Sequence, residues 1–405
     1  MSSATPGSRA SGAATVLRAV LDRGPVARST IARSTGLSPA AVTRHTADLA
    51  ASGLIRQLPQ QAAAGGFGRP HLPVDIDLDQ HVVAGVHIAV GHSTLAILDL
   101  RGNVLAQESL PHEESSPQAV LSAAARRLPA FVGRHSGERM LLGVGVASGG
   151  WVDPGRGVVV EHAPLAWREV GVREIFARHT RAPVVVDNHA RALATAEQLF
   201  GQARSAASVV HLFVGNVVDA AIVTGGSVHH GPGSTSGDIA HQPLGDPALR
   251  CPCGRRGCLQ ATVSSSALAH RAAAEGIIAR PSFPALLAAA KAGDPRARKV
   301  FLRRAEVLGG AVALLLAVVN PDVLVITEEG MLFLPEGLDT LRATVAARSH
   351  AGTDPVRQVV VSSFPAADLL AVAAGTVALE AVYRDPTGLG CAVATMPSVA
   401  AAESR

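Results

Sequence analysis

The feature that most constrains this chain is a cluster of metal-ligand residues between positions 241 and 258. The cluster consists of His241, Cys251, Cys253 and Cys258. One His and three Cys are a full ligand set for one tetrahedral zinc ion with no open position, which is typical of a structural site. The Cys-x-Cys spacing is too tight for an easy disulfide, and Gly254 and Gly257 permit the sharp turns of a metal loop. We therefore predict a structural zinc; the alternative is three incidental thiols beside a His.

Length and composition favour a multidomain protein of a reducing cytoplasm. The 405 residues are enough for two or three domains. The longest apolar candidate, residues 308–319, is short and contains two glycines, so it predicts a buried helix rather than a membrane span. Residues 1–11 lack the apolar core of a signal peptide, and a zinc–thiolate site without paired cysteines fits the cytoplasm. The remaining thiol, Cys391, is expected to be inert.

The charge of the chain is unevenly spread. The net charge is +4, but residues 1–70 contain eight Arg and two Asp, so this segment carries +6 and the rest carries −2. A basic segment on a mildly acidic body indicates a polyanionic partner for the N-terminus only. Residues 1–12 are rich in Ser, Ala and Gly and predict a disordered tail, and residues 396–405 form a second tail.

Residues 13–78 predict a winged helix-turn-helix domain. Apolar periodicity places helices at about 16–23, 28–35 and 39–52. Gly36 suits the end of the second helix and Ser38 suits the N-cap of the third. The third helix would be the recognition helix, which enters the major groove by its N-terminal end. The candidate DNA contacts on this helix are Ser38, Thr43, Arg44 and His45.

Two Arg residues of this domain have specific expected roles. Arg44 can hold a guanine edge with two hydrogen bonds, so its replacement is expected to relax sequence preference. Residues 54–76 predict a two-stranded wing, and Arg69 lies between Gly68 and Pro70 at its tip. That position suits insertion into a narrow minor groove. The alternative is a helical protein-binding module with a solvated basic face.

Residues 80–395 predict two α/β lobes with a cleft between them. A meander of strands with a helix at 117–134 occupies residues 80–190, which form the first lobe. The order recurs in residues 191–395, where strands are expected at 208–214, 220–224, 323–327 and 358–362. A last helix at about 366–383 closes the structure and is a candidate to return to the first lobe. Ligands of such folds bind at the carboxyl ends of strands near the lobe junction.

These stretches resemble the ROK family (repressor, open reading frame, kinase), and its repressor branch in particular. The metal stretch, Gly237-Asp-Ile-Ala-His241 with Cys251 to Gln260, is similar to the family's Gly-Glu-x-Gly-His and Cys-x-Cys-Gly-x-x-Gly-Cys-Leu-Glu signature. Residues 147–154, 186–189 and Gly68-Arg69-Pro70 support the resemblance, which covers nearly the whole chain. It implies a winged helix-turn-helix followed by a bilobal actin/hexokinase-like (ribonuclease H-like) body that binds a sugar or sugar phosphate.

The resemblance also implies a set of effector contacts. The family's sugar contacts fall on Gly150, Asn188 and His241, and His241 would then both bind zinc and touch a sugar hydroxyl. The full candidate set is Gly150, Asn188, His189, Asp238, His241 and Gln260. From the residues alone, plain turn roles for Gly150 and Asn188 would be preferred. Trp151 could stack on a sugar face or belong to the core.

Departures from the family argue against kinase activity. The catalytic Asp that should follow Asn188 is His189, although a His could in principle accept a proton. The Gly-rich phosphate loops are replaced at residues 87–94, 215–219 and 326–330, where Gly would let the backbone approach phosphate. Three carboxylates in the last two segments are expected to repel a triphosphate, namely Asp219, Glu328 and Glu329. Asp238 and Gln260 stand where the family has Glu, so an unusual sugar or another polyol is expected, and an empty pocket is the alternative.

Together these features predict a DNA-binding transcriptional regulator, a repressor of carbohydrate-metabolism genes without kinase activity. A homodimer or homotetramer is expected, in which effector-driven lobe closure changes the separation of two paired DNA-binding domains. No membrane partner is expected. Two alternatives remain open, a sugar kinase with an appended DNA-binding domain and a DNA-binding protein whose body only supports oligomerisation.

Overall fold

The computed structural model describes residues 11–59, 72–349 and 354–388. The N-terminal part, which we call the head, consists of three helices and a two-stranded antiparallel sheet. Its elements are α1 (Gly12–Arg23), α2 (Arg28–Thr35), α3 (Pro39–Ala51), β1 (Ile55–Gln57) and β2 (Val74–Ile76). Side-chain oxygens of Ser11 and Ser38 cap α1 and α3, and Gly36 ends α2 in the left-handed conformation. The predicted tip of the wing with Arg69, the tail residues 1–10 and 396–405, and Cys391 lie outside the described residues.

The first lobe is built on a five-stranded sheet in the order β10-β6-β3-β4-β5. Its first five elements in chain order are β3 (His81–Ile88), β4 (His92–Leu98), β5 (Val104–Pro111), α4 (Pro117–His135) and β6 (Met140–Ser148). A small antiparallel sheet follows, formed by β7 (Trp151–Asp153), β8 (Val158–His162) and β9 (Trp167–Gly171). The lobe is completed by α5 (Val172–Ala177), β10 (Val184–Asn188) and α6 (His189–Leu199). The small sheet was not among the predicted elements.

The second lobe repeats the five-stranded arrangement in the order β13-β12-β11-β14-β15. Its strands are β11 (Val209–Val214), β12 (Val218–Thr224), β13 (Ser227–Val228), β14 (Val323–Glu328) and β15 (Val359–Val361). Its helices are α7 (Leu259–Val263), α8 (Ser265–Ala274), α9 (Phe283–Lys291), α10 (Pro295–Val319), α11 (Glu329–Phe333), α12 (Pro335–Arg348) and α13 (Pro355–Gln358). The apolar stretch 308–319 belongs to α10 and is largely buried, as predicted. None of the helices within the described ranges is both long and apolar enough to cross a membrane.

The last helix, α14 (Leu369–Arg384), packs on the sheet of the first lobe. Gly85 on β3 and Gly145 on β6 permit this contact, because a Cβ on either residue would collide with the backbone of α14 near Ala374. The Tyr383 hydroxyl donates a hydrogen bond of 2.6 Å to the Leu100 carbonyl. Because α14 follows the last strand of the second lobe, the chain crosses between the lobes twice, through the segment after α6 and through the segment before α14.

The head shares its apolar core with the first lobe. Val20 and Leu21 of α1 belong to the same buried cluster as Leu98, Leu379 and Val382 of the body. Polar contacts add to this packing. Arg101 donates to the Asp75 carboxylate and to the Leu21 carbonyl, and His81 Nε2 lies 2.8 Å from the Ser52 carbonyl. A displacement of the first lobe would therefore move the head as well.

Candidate functional site

The four predicted metal ligands converge in the structure. One ligand atom from each of His241, Cys251, Cys253 and Cys258 lies within 4.8 Å of the others. His241 presents Nδ1 to Cys251 Sγ at 3.5 Å, and the Sγ atoms of Cys253 and Cys258 are 3.7 Å apart. Gly254 and Gly257 have φ values of +89° and +73°, so the loop needs residues that tolerate left-handed backbone. These side chains form a closed group of one nitrogen and three sulfur donors that could hold a metal ion.

The metal loop forms one wall of a cavity of about 380 Å³ at the junction of the lobes. This volume lies within the range of small-molecule sites. The first lobe contributes Gly150, Trp151, Asn188 and Arg191 to its lining. The second lobe contributes residues 217–220, 234–238, Ala240 and the metal-loop residues, with Gln260. Five of the six candidate effector residues thus line one cavity, and His189 lies behind its wall.

Gly150 and Asn188 are held together by hydrogen bonds at the bottom of the cavity. Gly150 has φ +75°, and its carbonyl accepts a bond of 2.8 Å from Asn188 Nδ2. The Asn188 Oδ1 atom accepts from the amide of Ala190, so it caps α6. The Gly150 amide donates 3.0 Å to Asp219 Oδ2, across the junction. The turn roles suggested by the residues alone are therefore present, in a turn that also lines the cavity.

His189 is the centre of a buried group of polar side chains behind the cavity. Its Nε2 atom lies 2.9 Å from Asp219 Oδ2, and its Nδ1 atom lies 3.1 Å from His87 Nε2. The ring also packs on Phe213, with centroids 4.0 Å apart. Burial, and after it the nearby His189, lower the pKa of His87 well below its usual value. Both ring nitrogens of His189 thus face groups of the protein, and His189 is not among the residues that line the cavity.

Asp219 is a cavity residue whose position sequence reasoning missed. It was expected to repel nucleotide phosphates, but it faces the lobe junction and bonds to the first lobe through Gly150 and His189. Burial would raise the pKa of its carboxyl group. Hydrogen bonds from His189, Gly150 and Asn188 outweigh burial and lower that pKa below the usual value. Asp219 is therefore an ionised carboxylate, with 13% of its side chain exposed.

Glu328 also lies elsewhere than expected. It forms a buried ion pair with Arg304 of α10, and the two side chains are 2% and 1% exposed. The Arg304 guanidinium also reaches the Val214 carbonyl at the end of β11 and Ser265 at the start of α8. Glu328 itself caps α11 through the amides of Gly330 and Met331. We call this group the sealed strand ends, because Arg304 and Glu328 fill the carboxyl ends of β11 and β14.

Arg191 is a second residue that the sequence analysis did not identify. It is buried at the start of α6 and bonds to the Asp187 carboxylate, with Nε at 2.7 Å. The same guanidinium donates to the carbonyls of Val152 and Ser234, which belong to different lobes. Asp187 lies in strand β10 and Arg191 lies in α6, so no spacing rule for a single element could have suggested the pair.

The candidate DNA contacts occupy the start and outer face of α3. Ser38 accepts 3.2 Å from the Ala41 amide as N-cap, and the Thr43 hydroxyl donates 2.9 Å to the Pro39 carbonyl. Thr43 and Arg44 are exposed. His45 is half-buried, and its ring lies against Gly12 of α1. The exposed cation of this helix is therefore Arg44.

Comparison with known proteins places the chain in a family. A family model described as the ROK family matches residues 83–367. The transcriptional regulator Rv0485 of Mycobacterium tuberculosis (strain ATCC 25618 / H37Rv) is 34% identical over 392 residues, which cover 93% of this chain and 87% of the relative. This protein belongs to the ROK family.

The other similarities point to the regulators of that family. The DNA-binding transcriptional dual regulator NagC of Escherichia coli (strain K12) is 28% identical, over 78% of this chain and 80% of NagC. A crystal structure of a ROK family transcriptional regulator, a homologue of the E. coli MLC protein, shares the fold with a TM-score of 0.77 and 24% identity. It covers 94% of this chain and 98% of its own. Solved ROK sugar kinases also share the fold of the body.

Proposed function

We propose that this protein is a DNA-binding repressor of carbohydrate-metabolism genes, controlled by a sugar-like effector in the lobe cavity. The observation that carries the proposal is the course of α6. At its start, Asn188 and Arg191 line the cavity. At its end, the Gln198 carbonyl accepts a hydrogen bond from Arg18 of α1 in the head. One helix of eleven residues thus connects the candidate effector site to the candidate DNA-binding domain.

The head supports this proposal as a winged helix-turn-helix. Helices α2 and α3 with their short turn supply the helix-turn-helix, and β1 and β2 supply the base of the wing. Arg44 is exposed on α3, near the end of the helix that would enter the major groove. Arg28 braces α3 from α2 through a bond of 2.9 Å to the Thr46 hydroxyl, so the two helices keep a fixed angle. Arg69 remains a proposed contact to the minor groove.

Zinc is the metal that the donor set of the cluster fits best. Three thiolates and one imidazole are a common structural zinc set, and soft sulfur donors disfavour magnesium or calcium. When bound, zinc would fix the loop that carries His241, Cys251 and Cys253 to the cavity wall. His241 uses Nδ1 toward the cluster, so its Nε2 atom is the one left for a ligand.

Two features of the body oppose phosphoryl transfer. A kinase needs a base that accepts the hydroxyl proton and a cradle for the nucleotide phosphates. At the base position, His189 is buried outside the cavity lining, and its two ring nitrogens face Asp219 and His87. At the sealed strand ends, Arg304 and Glu328 fill the carboxyl ends of β11 and β14, and ligands of open α/β sheets bind at such strand ends. We therefore propose that the protein does not bind ATP.

Coupling between the cavity and the head would run through the hinge between the lobes. Glu197 of α6 is fully buried and accepts bonds from the Ser362 hydroxyl and from the amide and hydroxyl of Ser363. It also accepts from the Gln202 amide. Both chain crossings between the lobes are thus tied to α6, beside the contact of Gln198 with Arg18. In a dimer or tetramer, a lobe rotation would displace paired heads and change their fit to half-sites with fixed spacing.

The decisive experiment measures DNA affinity with and without sugars. Genomic fragments bound by the full-length, zinc-loaded protein are selected, and their affinity is measured by fluorescence anisotropy while a panel of monosaccharides is titrated in. We expect steep salt dependence and a loss of affinity with at least one sugar. The Arg44→Ala variant should lose sequence preference, whereas Arg181→Ala, on the body, should not.

Each alternative gives a different result in the same set of measurements. Sugar-dependent ATP turnover in a coupled assay would support the kinase with an appended DNA-binding domain. Specific DNA binding that no sugar alters would support a body that only assembles the protein. Absence of double-stranded DNA binding at low salt would contradict the proposal altogether.

A further inference from the structure

Three side chains on the cavity lining offer hydrogen-bond acceptors to a ligand, those of Asp219, Asp238 and Gln260. Asp219 is an ionised carboxylate on the lining, and Asp238 is an exposed carboxylate on the rim. Gln260 donates its amide to the Asn216 carbonyl at 2.6 Å, whereas its Oε1 atom is buried and has no partner among the described residues. An unpartnered buried acceptor costs free energy unless a ligand or water supplies a donor.

Several donors on the lining are already engaged, whereas the hydroxyls of residues 234–236 and Nε2 of His241 also face the cavity. Asn188 Nδ2 and the Gly150 amide donate to protein oxygens, and the Trp151 indole donates 2.7 Å to the Gly233 carbonyl. The Arg191 guanidinium is neutralised by Asp187 and donates to two carbonyls. Arg255, the other cation of the lining, is an exposed residue of the metal loop. A phosphate group beside Asp219 would therefore meet a carboxylate, and the buried cation of the lining, Arg191, is already paired with Asp187.

We propose that the cavity selects ligands that donate hydrogen bonds, neutral polyols or amino sugars, and that Asp219 excludes sugar phosphates. This inference rests on the proposed function, since it names the ligand class of the same cavity. Asp219 is the specificity-determining residue for a geometric reason. It reaches the bottom of the cavity from the second lobe, bonded to the Gly150 turn that would position the sugar. A phosphomonoester carries nearly two negative charges at neutral pH, and repulsion between close charges is strong where water is partly excluded.

Isothermal titration calorimetry on the full-length, zinc-loaded protein tests the proposal without DNA. The probes are D-glucose, D-mannose, N-acetyl-D-glucosamine and D-glucosamine, each beside its 6-phosphate. We expect at least one unphosphorylated sugar to bind, and its 6-phosphate to bind at least tenfold more weakly. Higher ionic strength should narrow that ratio, because salt screens the repulsion. A 6-phosphate that binds as well as its parent sugar, or failure of all eight compounds to bind, overturns the proposal.

The variant Asp219→Asn identifies the residue responsible. Asn keeps the acceptor for the Gly150 amide but removes the charge, so the ratio between parent sugar and phosphate should fall at least threefold. Glu161→Gln is the matched control: Glu161 also belongs to the lining residues, but its carboxylate is half-exposed and lies 3.6 Å from Arg168. An equal effect of both variants would contradict the role of Asp219. If Asp219→Asn does not fold, the wild-type protein provides the test: the ratio of its affinities for the parent sugar and the 6-phosphate should fall as the salt concentration rises.

The outcomes separate this inference from the proposed function. If a sugar phosphate changes the DNA affinity, the proposed function is supported and the exclusion of sugar phosphates is contradicted. If an amino sugar binds without any change in DNA affinity, the ligand class is supported and effector control is contradicted.

Discussion

Two of the three carboxylates that replace the family's phosphate-binding loops, Asp219 and Glu328, have opposite surroundings in the second lobe. Glu328 is sealed against Arg304, with both side chains almost completely buried. Asp219 remains at the lobe cavity and bonds to the opposite lobe. The difference lies in the neighbours: α10 supplies a guanidinium to Glu328, whereas Asp219 meets the Gly150 amide and the His189 ring. A carboxylate that replaces a loop Gly can thus close one site or reshape another, depending on a partner distant in sequence.

The largest expected effect on this comparison comes from removing the metal. Structural zinc sites contribute on the order of 10 kcal/mol to the folding of small zinc domains. Chelation, or Cys258→Ser, should abolish sugar binding and expose the cavity wall around residues 234–260 to hydrogen exchange. The sealed strand ends should keep their protection, because Arg304 and Glu328 do not contact the metal loop directly. The matched control is Cys391→Ser, since that thiol is expected to be inert. An equal loss of hydrogen-exchange protection in the cavity wall and at the sealed strand ends would contradict this prediction.

The next effect concerns the sealed strand ends themselves. Arg304→Met leaves Glu328 buried without its cation, which should lower the free energy of unfolding by about 3–5 kcal/mol. Adding Glu328→Gln removes the stranded charge and keeps an acceptor for the α11 amides, so the double variant should recover most of the loss. Urea denaturation of the wild type, the single variant and the double variant measures the three free energies of unfolding. A single variant that loses less than about 1 kcal/mol would show that the pair is more hydrated than the structure indicates.

Local signals in the sequence predicted much of this molecule, and contacts between distant segments were missed. The metal cluster was predictable because its ligands lie in one short loop, and the helices of the head because Ser11, Ser38 and Gly36 act on adjacent residues. The Arg304–Glu328 pair joins a helix to a strand 24 residues away. The bond between His189 and Asp219 crosses the lobes. No periodicity or spacing encodes such pairs, so Asp219 and Glu328 were both assigned to phosphate repulsion.

A smaller effect is expected from acid, through the histidines behind the cavity. Burial is the main cause that lowers the pKa of His162 to about 4, although Asp219 partly opposes it. The unfolded chain binds a proton near pH 6.5, so the folded protein loses stability as the pH falls from about 6.5 to 4. His162 should account for about 3 kcal/mol of that loss. His162→Gln should flatten this part of the stability profile, measured by denaturation at each pH. The control His229→Gln, at an exposed position, should leave the profile unchanged.

The smallest expected effect on stability comes from replacing Arg18, which connects the head to the end of α6. Arg18 is one-third exposed, pairs with Asp22 at 3.1 Å and donates to the Gln198 carbonyl at the end of α6. Because exposed pairs contribute little, Arg18→Leu should cost at most about 1 kcal/mol of stability. Its effect on coupling should be clearer: sugar affinity stays the same, whereas the sugar-induced change in DNA affinity falls several-fold. Arg23→Leu, at the exposed end of the same helix, is the control. If both variants respond to sugar like the wild type, the signal does not pass from α6 to α1, and the shared apolar core becomes the route to test.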